Sequence, residues 1–184
     1  MMSRDEALKL VNEWIFDEKI RKHVLAVEAI MRGLARFFGE NEELWGLVGL
    51  LHDLDYDRTR DNVEMHAKLT ADFLKDKLPD EAIKAILSHN ERTGEKPSSK
   101  LAYALIAADQ ISGLIVATAL VMPSKKLEEV KVKSVRKKFK QKDFARRVRR
   151  DRILKALEHL GIDLNKLIEI SLESLKPIHE ELGI

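Results

Sequence analysis

The 184-residue sequence has no cysteine, which excludes a disulfide framework, a thiolate zinc site and a cysteine nucleophile. Amides are scarce too: five Asn and two Gln stand beside a 35% charged fraction and only eight Gly. That balance leans toward a heat-adapted, thermostable protein. No apolar run follows the opening Met1-Met2-Ser3-Arg4-Asp5-Glu6, so a signal peptide is not expected and a cytoplasmic location is. No strand pattern, internal repeat or low-complexity tract is present. An apolar fraction of 45% is too high for a disordered chain, and the charge is too high for an integral membrane protein. The length suits one domain over 1–184, large enough to bury most of its apolar surface.

The charge is unevenly placed. Residues 131–152 hold 12 Lys and Arg against Asp143 and Asp151, a local +10, so a chain of net +2 carries −8 elsewhere. Such a block is either a solvated helix face or an anion-binding surface.

Helical periodicity runs almost throughout. Ser3 caps a short helix over 4–16. Ile20, Val24, Val27, Met31, Leu34 and Phe38 form one stripe on a helix ending at Gly39, and Asn41 opens a third helix with Leu44, Val48 and Leu51 inward. Asp61 with Glu64 reads as a capping-box-like start to a helix over about 62–77. Pro79-Asp80 starts the next, to about His89, followed by a loop over 90–98. Residues 101–122 carry only Asp109 and Gln110 as strongly polar side chains. They are long enough to span a membrane, but Asp109 near the centre would cost roughly 2.5–3.5 kcal/mol there. They read instead as a central buried helix, ended by Pro123-Ser124. The basic segment follows as one or two helices interrupted near 141–143. Gly161 stops a helix, and Asp163 caps the last, with Leu164, Ile168, Leu175, Ile178 and Leu182 inward. The expected fold is an all-α bundle of about eight or nine helices, with a core over about 18–122 and the basic and C-terminal helices over 123–184.

The polar residues on inward stripes are informative. His23, His52, Asp53, His66, His89 and Asp109 come from five expected helices and converge on one interior. A lone inward histidine is usually a hydrogen-bonded core residue. A buried carboxylate must be paired, protonated or metal-bound, and no Lys or Arg lies within a turn of Asp109. Imidazole with carboxylate is a donor set for Mn, Fe, Co, Ni or Zn rather than for Mg²⁺ or Ca²⁺. His159 and His179 lack acidic partners at ligand spacing and read as structural or surface residues.

His23, the adjacent His52-Asp53 and the distal Asp109 resemble the signature of the HD superfamily of metal-dependent phosphohydrolases. The chain looks closest to its small stand-alone HDIG-type branch, although Leu54-Asp55 stands where the eponymous Ile-Gly would be. The likeness extends to Ala85-Ile86-Leu87-Ser88-His89, to Ala108-Asp109-Gln110-Ile111-Ser112-Gly113, and into the basic segment around Val132–Lys138 and Phe144–Arg150.

The resemblance implies one or two divalent transition-metal ions. His23, His52, Asp53 and Asp109 would hold the first, leaving positions for water and substrate. Asp53 would bridge to a second held by His66 and His89. In a one-metal protein, His66 and His89 would contact phosphate or shuttle protons. Asp53, His66 and His89 are therefore the candidate catalytic residues. Lys125, Lys133, Lys137 and Arg150 fall on family-like positions and are the candidate phosphate-binding residues. Asp55, Tyr56, Asp57 and Arg58 line the pocket mouth or cap a helix.

The expected substrate is a small phosphorylated metabolite or nucleotide. Nucleic acid is disfavoured, because Phe139 and Phe144 offer no stacking platform in the basic segment, and a membrane partner is not expected. Two alternatives remain: a di-iron oxygenase on the same scaffold, and a non-catalytic metal or nucleotide sensor.

Overall fold

A computed structural model describes residues 1–184. It contains nine helices of seven residues or more, a closing four-residue helical turn and no strand. Helix α1 (Arg4–Trp14) starts with a complete capping box: Ser3 Oγ accepts the Glu6 N–H, and the Glu6 carboxylate accepts the Ser3 N–H. It stops two residues short of the expected Phe16. Helix α2 (Glu18–Phe38) is capped by Asp17 and ends at Gly39, whose φ of 70° is left-handed. Asn41 caps α3 (Glu42–Leu51) by accepting the Leu44 N–H. Each such cap contributes about 1 kcal/mol.

The crossing of α2 and α3 is very close. A Cβ at Gly49 would lie 2.9 Å from both the Cα of Glu28 and the carbonyl oxygen of Val27. Two backbones meet there, and only glycine fits.

The helix expected over 62–77 does not form. Residues 60–67 form no helix, and α4 spans only Lys68–Leu74. Neither Asp61 nor Glu64 makes a capping bond. The break falls at Ala67, whose φ of 74° is left-handed and costs a non-glycine residue about 1–3 kcal/mol. Helix α5 (Asp80–His89) follows as expected.

Helix α6 (Lys100–Leu120), capped by Ser99, lies at the centre. It is long and apolar enough to cross a membrane, but most of it is buried against α2, α5, α7, α8 and α9. The basic segment divides into α7 (Val132–Phe139) and α8 (Arg150–Leu160), with a wider interruption than the sequence suggested. Asp163 caps α9 (Leu164–Leu175). The expected single last helix is broken at Lys176-Pro177, because proline has no N–H to continue the ladder, and α10 (His179–Leu182) closes the chain. The buried apolar side chains form one continuous cluster.

Candidate metal centre

Six residues meet at one end of the core. His23 comes from the second turn of α2. His52 and Asp53 follow the last turn of α3, and Asp109 lies midway along α6. His89 is the last residue of α5. His66 is not on a helix: it sits in the turns before Ala67, which corrects the expected helical stripe through Val63 and Thr70.

The atoms fall into two groups that share Asp53. In the first, His23 Nε2 lies 2.8 Å from Asp109 Oδ1 and 3.5 Å from Asp53 Oδ2. His52 Nε2 lies 3.4 Å from each of those oxygens. In the second, Asp53 Oδ1 lies 3.1 Å from His66 Nε2 and 3.2 Å from His89 Nε2. The two Nε2 atoms of this second pair are 3.1 Å apart. One carboxylate thus turns an oxygen to each pair of imidazoles.

The outer nitrogens fix which tautomer each ring adopts. His52 Nδ1 donates to the Gly49 carbonyl at 2.7 Å, and His89 Nδ1 donates to the Ile86 carbonyl. His66 Nδ1 donates to Asp55 Oδ1 at 2.8 Å. Ser112 spends its hydroxyl proton on the Asp109 carbonyl, so its oxygen is left to accept from His23 Nδ1 at 3.4 Å. Carbonyls and carboxylates only accept, so the ring protons are held outward and the four Nε2 lone pairs point in. Lone pairs and carboxylates facing one another need positive charge between them. His52 Nε2 is fully buried without any hydrogen-bond partner, an arrangement that costs about 1–3 kcal/mol unless a cation meets it. The donor set therefore fits a divalent transition metal.

The imidazoles and carboxylates also shift one another's protonation. Burial opposes charging His66, but Asp53 and Asp55 outweigh it and raise its pKa to about 9. Burial likewise opposes charging His52, and Asp53 and Asp109 push its pKa well above the ordinary imidazole value. Burial pushes the Asp53 and Asp109 pKa values up, and the neighbouring histidines reverse this, holding both carboxyls well below the usual range. Asp109 is not sealed in, as its position in an apolar helix suggested: its side chain keeps 16% exposure. With His23 and His66 at 23% and 18%, it forms the open face of the cluster, while His52 and His89 close the back.

Asp55, expected at a pocket mouth or a helix cap, is instead part of the cluster's support. Its carboxylate is fully buried and accepts from His66 Nδ1, the Ala67 N–H at 3.2 Å and the Thr70 N–H at 2.9 Å. It orients His66 and ties down the strained turn. Asn90 supports the same turn, donating to the Val63 and His66 carbonyls at 2.9 Å each. Asp57 instead accepts the Phe16 and Asp17 N–H groups, joining α1 to α2.

The basic candidates divide. The Arg150 guanidinium donates to the carbonyls of Lys138, Phe139, Gln141, Phe144, Ala145 and Val148 at 2.5–3.3 Å. All its donors are spent on folding the basic loop, which corrects the expectation that it binds phosphate. Lys133 and Lys137 are exposed one turn apart on α7, and Lys125 is exposed in the turn after α6. None of the three makes a polar contact with the six clustered residues. His159 stacks on Tyr103 with ring centroids 3.9 Å apart, and His179 bonds to the Ile184 carbonyl, both away from the centre.

Comparisons with known proteins identify the family. Residues 20–114 match the HD domain, and that stretch contains all six residues. The chain is 33% identical over 101 residues to Ribonuclease Y of Aster yellows witches'-broom phytoplasma (strain AYWB). It is 33% identical over 101 residues to Ribonuclease Y of Onion yellows phytoplasma (strain OY-M) as well. Each alignment covers 53% of this chain and 18% of the relative, so the chain spans less than a fifth of the curated relatives it matches. No solved structure gives a significant match. With a match over more than half its length, and with a His/Asp cluster that could hold the divalent metals HD domains bind, the chain belongs to the HD domain family, whose members are typically metal-dependent hydrolases.

Proposed function

We propose that the protein is a dinuclear metal-dependent phosphohydrolase acting on a small phosphorylated metabolite or nucleotide. The observation that carries this reading is Asp53, whose two oxygens face two separate pairs of inward Nε2 atoms. His23, His52, Asp53 and Asp109 would hold one ion, and Asp53, His66 and His89 the other. Bound divalent ions would supply a water ionised near neutral pH and a Lewis acid for a phosphoryl oxygen.

The protein's own residues do the rest. The outward Nδ1 bonds keep the four Nε2 lone pairs available and the rings immobile. Buried His52 and His89 exclude water behind the centre, and the exposed edges of His23, His66 and Asp109 leave one approach for an anion. Lys125, Lys133 and Lys137 would attract a phosphate as exposed charges, each of modest effect.

The test is metal analysis of protein purified without added metal, then a phosphoester panel with Mn²⁺, Fe²⁺, Co²⁺, Ni²⁺ and Mg²⁺. The panel includes phosphomonoesters, nucleotides, cyclic phosphodiesters and a short single-stranded RNA, the last because of the relatives' name. Two ions per chain and turnover of a small phosphoester are expected. Turnover of RNA alone overturns the substrate assignment. A mixed-valence iron signal with oxygen consumption points to the oxygenase, and full loading without any turnover to the sensor.

A further inference from the structure

His89 is the last residue of α5, and a helix end is where backbone order is lost first. The final four carbonyls of any helix lack partners within it. In α5 the Ile86 carbonyl accepts the His89 ring, and the Leu87 carbonyl accepts the Asn90 N–H and the Thr93 hydroxyl. The Ser88 and His89 carbonyls receive no backbone donor. Both are met by one side chain 63 and 64 positions away: Arg152 donates from one terminal nitrogen to the His89 carbonyl at 2.8 Å and from the other to the Ser88 carbonyl at 3.2 Å. Its Nε faces Glu91 at 3.1 Å, so the flat guanidinium is held on three sides, with only 13% of the side chain exposed.

We infer that Arg152 is a positioning residue for the His66–His89 half of the centre, closing the end of α5 so that the His89 imidazole stays aimed at Asp53. The consequence for metal binding rests on the two-ion reading above; the positioning itself does not. The inference places a determinant of the site outside the stretch 20–114 that matches the HD domain. The first turn of α8 would thus complete a centre whose candidate ligands all lie upstream.

A charge effect and a geometric effect are separable. The negative end of a helix favours any cation, and lysine would supply that as well as arginine. Only arginine reaches two carbonyls and a carboxylate with one rigid fork. Arg149 is the control, because it faces the same Glu91 at 3.5 Å, and its guanidinium touches neither carbonyl.

The experiment uses the full chain in two arms. In metal-free protein, nitrogen-15 NMR of the histidine rings reads the His89 Nδ1–H, which the bond to Ile86 protects from exchange. In the second arm, Mn²⁺ titration reads the two binding steps. Arg152→Ala and Arg152→Lys are both expected to lose the protected ring signal and to weaken the second Mn²⁺ by about 10–100-fold, with the first step unchanged. Arg149→Ala is expected to match wild type in both arms. A retained ring signal in Arg152→Ala overturns the inference, as does recovery by Arg152→Lys. Equal weakening of both Mn²⁺ steps also overturns it, since that reports a general loosening of the fold. Wild type binding a single Mn²⁺ overturns the two-ion reading instead, and the ring signal still decides the role of Arg152.

Discussion

The two halves of the centre are built in different ways. His23, His52 and Asp109 are placed by α2, α3 and α6, three elements locked together by the core, and Asp53 follows directly from α3. His66 stands in a turn before a left-handed alanine, and His89 hangs from a helix end. The first half inherits its geometry from helix packing. The second is assembled by side-chain bonds: Asp55 to His66 and Asn90 to the turn beneath it. Helix packing alone therefore brings one group of candidate donors together, and the other is reached only with added side-chain support.

The sharpest way to break the contrast is to remove a residue the first half needs. His52→Ala and Asp109→Ala are each expected to abolish activity and most metal binding, because the buried lone pairs and carboxylates lose their common partner. Wild-type metal content in both variants, measured by elemental analysis, would refute the assignment. A smaller loss follows from the other side. His66→Ala/His89→Ala should keep the ion of the first half, lose about half the bound metal, and fall in turnover by orders of magnitude. Stoichiometry and turnover are measured together; unchanged stoichiometry with reduced turnover would mean one ion and two phosphate-facing histidines.

Asp55→Asn sharpens the comparison without removing a ligand. The amide is nearly the same size but carries no charge to hold the His66 ring proton. About a 10–100-fold weaker second ion is expected, with the first unaltered. Titration of the variant beside wild type checks it.

Proton competition gives a graded version of the same test. The pKa of His66 is raised to about 9 from an unfolded value near 6.5. The stabilisation from its proton is fully present below that unfolded value and is lost as pH rises through about 9. An ion must displace this proton, so affinity at the second half should fall by up to tenfold per pH unit below about 9. Calorimetry at pH 7 in buffers of different ionisation enthalpy should detect proton release; its absence contradicts the assigned charge of His66.

The smallest effect is expected outside both halves. Replacing Lys133 and Lys137 with Gln should raise KM a few-fold while leaving the melting temperature unchanged, because exposed charges contribute about 0.2–1 kcal/mol each. An unaltered KM leaves these lysines as a solvated helix face.

The legibility of the molecule follows the same division. His23, His52 and Asp109 lie on stripes whose spacing is local, so periodicity alone put them on one interior, and caps such as Ser3, Asn41 and Asp163 marked helix starts. The pattern around His66 misleads because Asp61 and Glu64 imitate a capping box, while the bond that decides the local structure comes from Asp55 and reaches 11–15 residues ahead. No short-range pattern encodes that fold-back. Arg150 is illegible for the opposite reason. In a run of exposed cations nothing in the sequence distinguishes the one that turns inward to collect six carbonyls.

Gly49 gives the α2–α3 crossing a further meaning. His52 is bonded to the carbonyl of Gly49 itself, and His23 lies one turn before the α2 backbone that Gly49 touches. The separation of the two imidazoles is thus gauged by a bare Cα–H pressed against main chain, with no side chain between to flex or adopt another rotamer. The gap acts as a fixed caliper. The scale of the cluster is set by an atom that is not there.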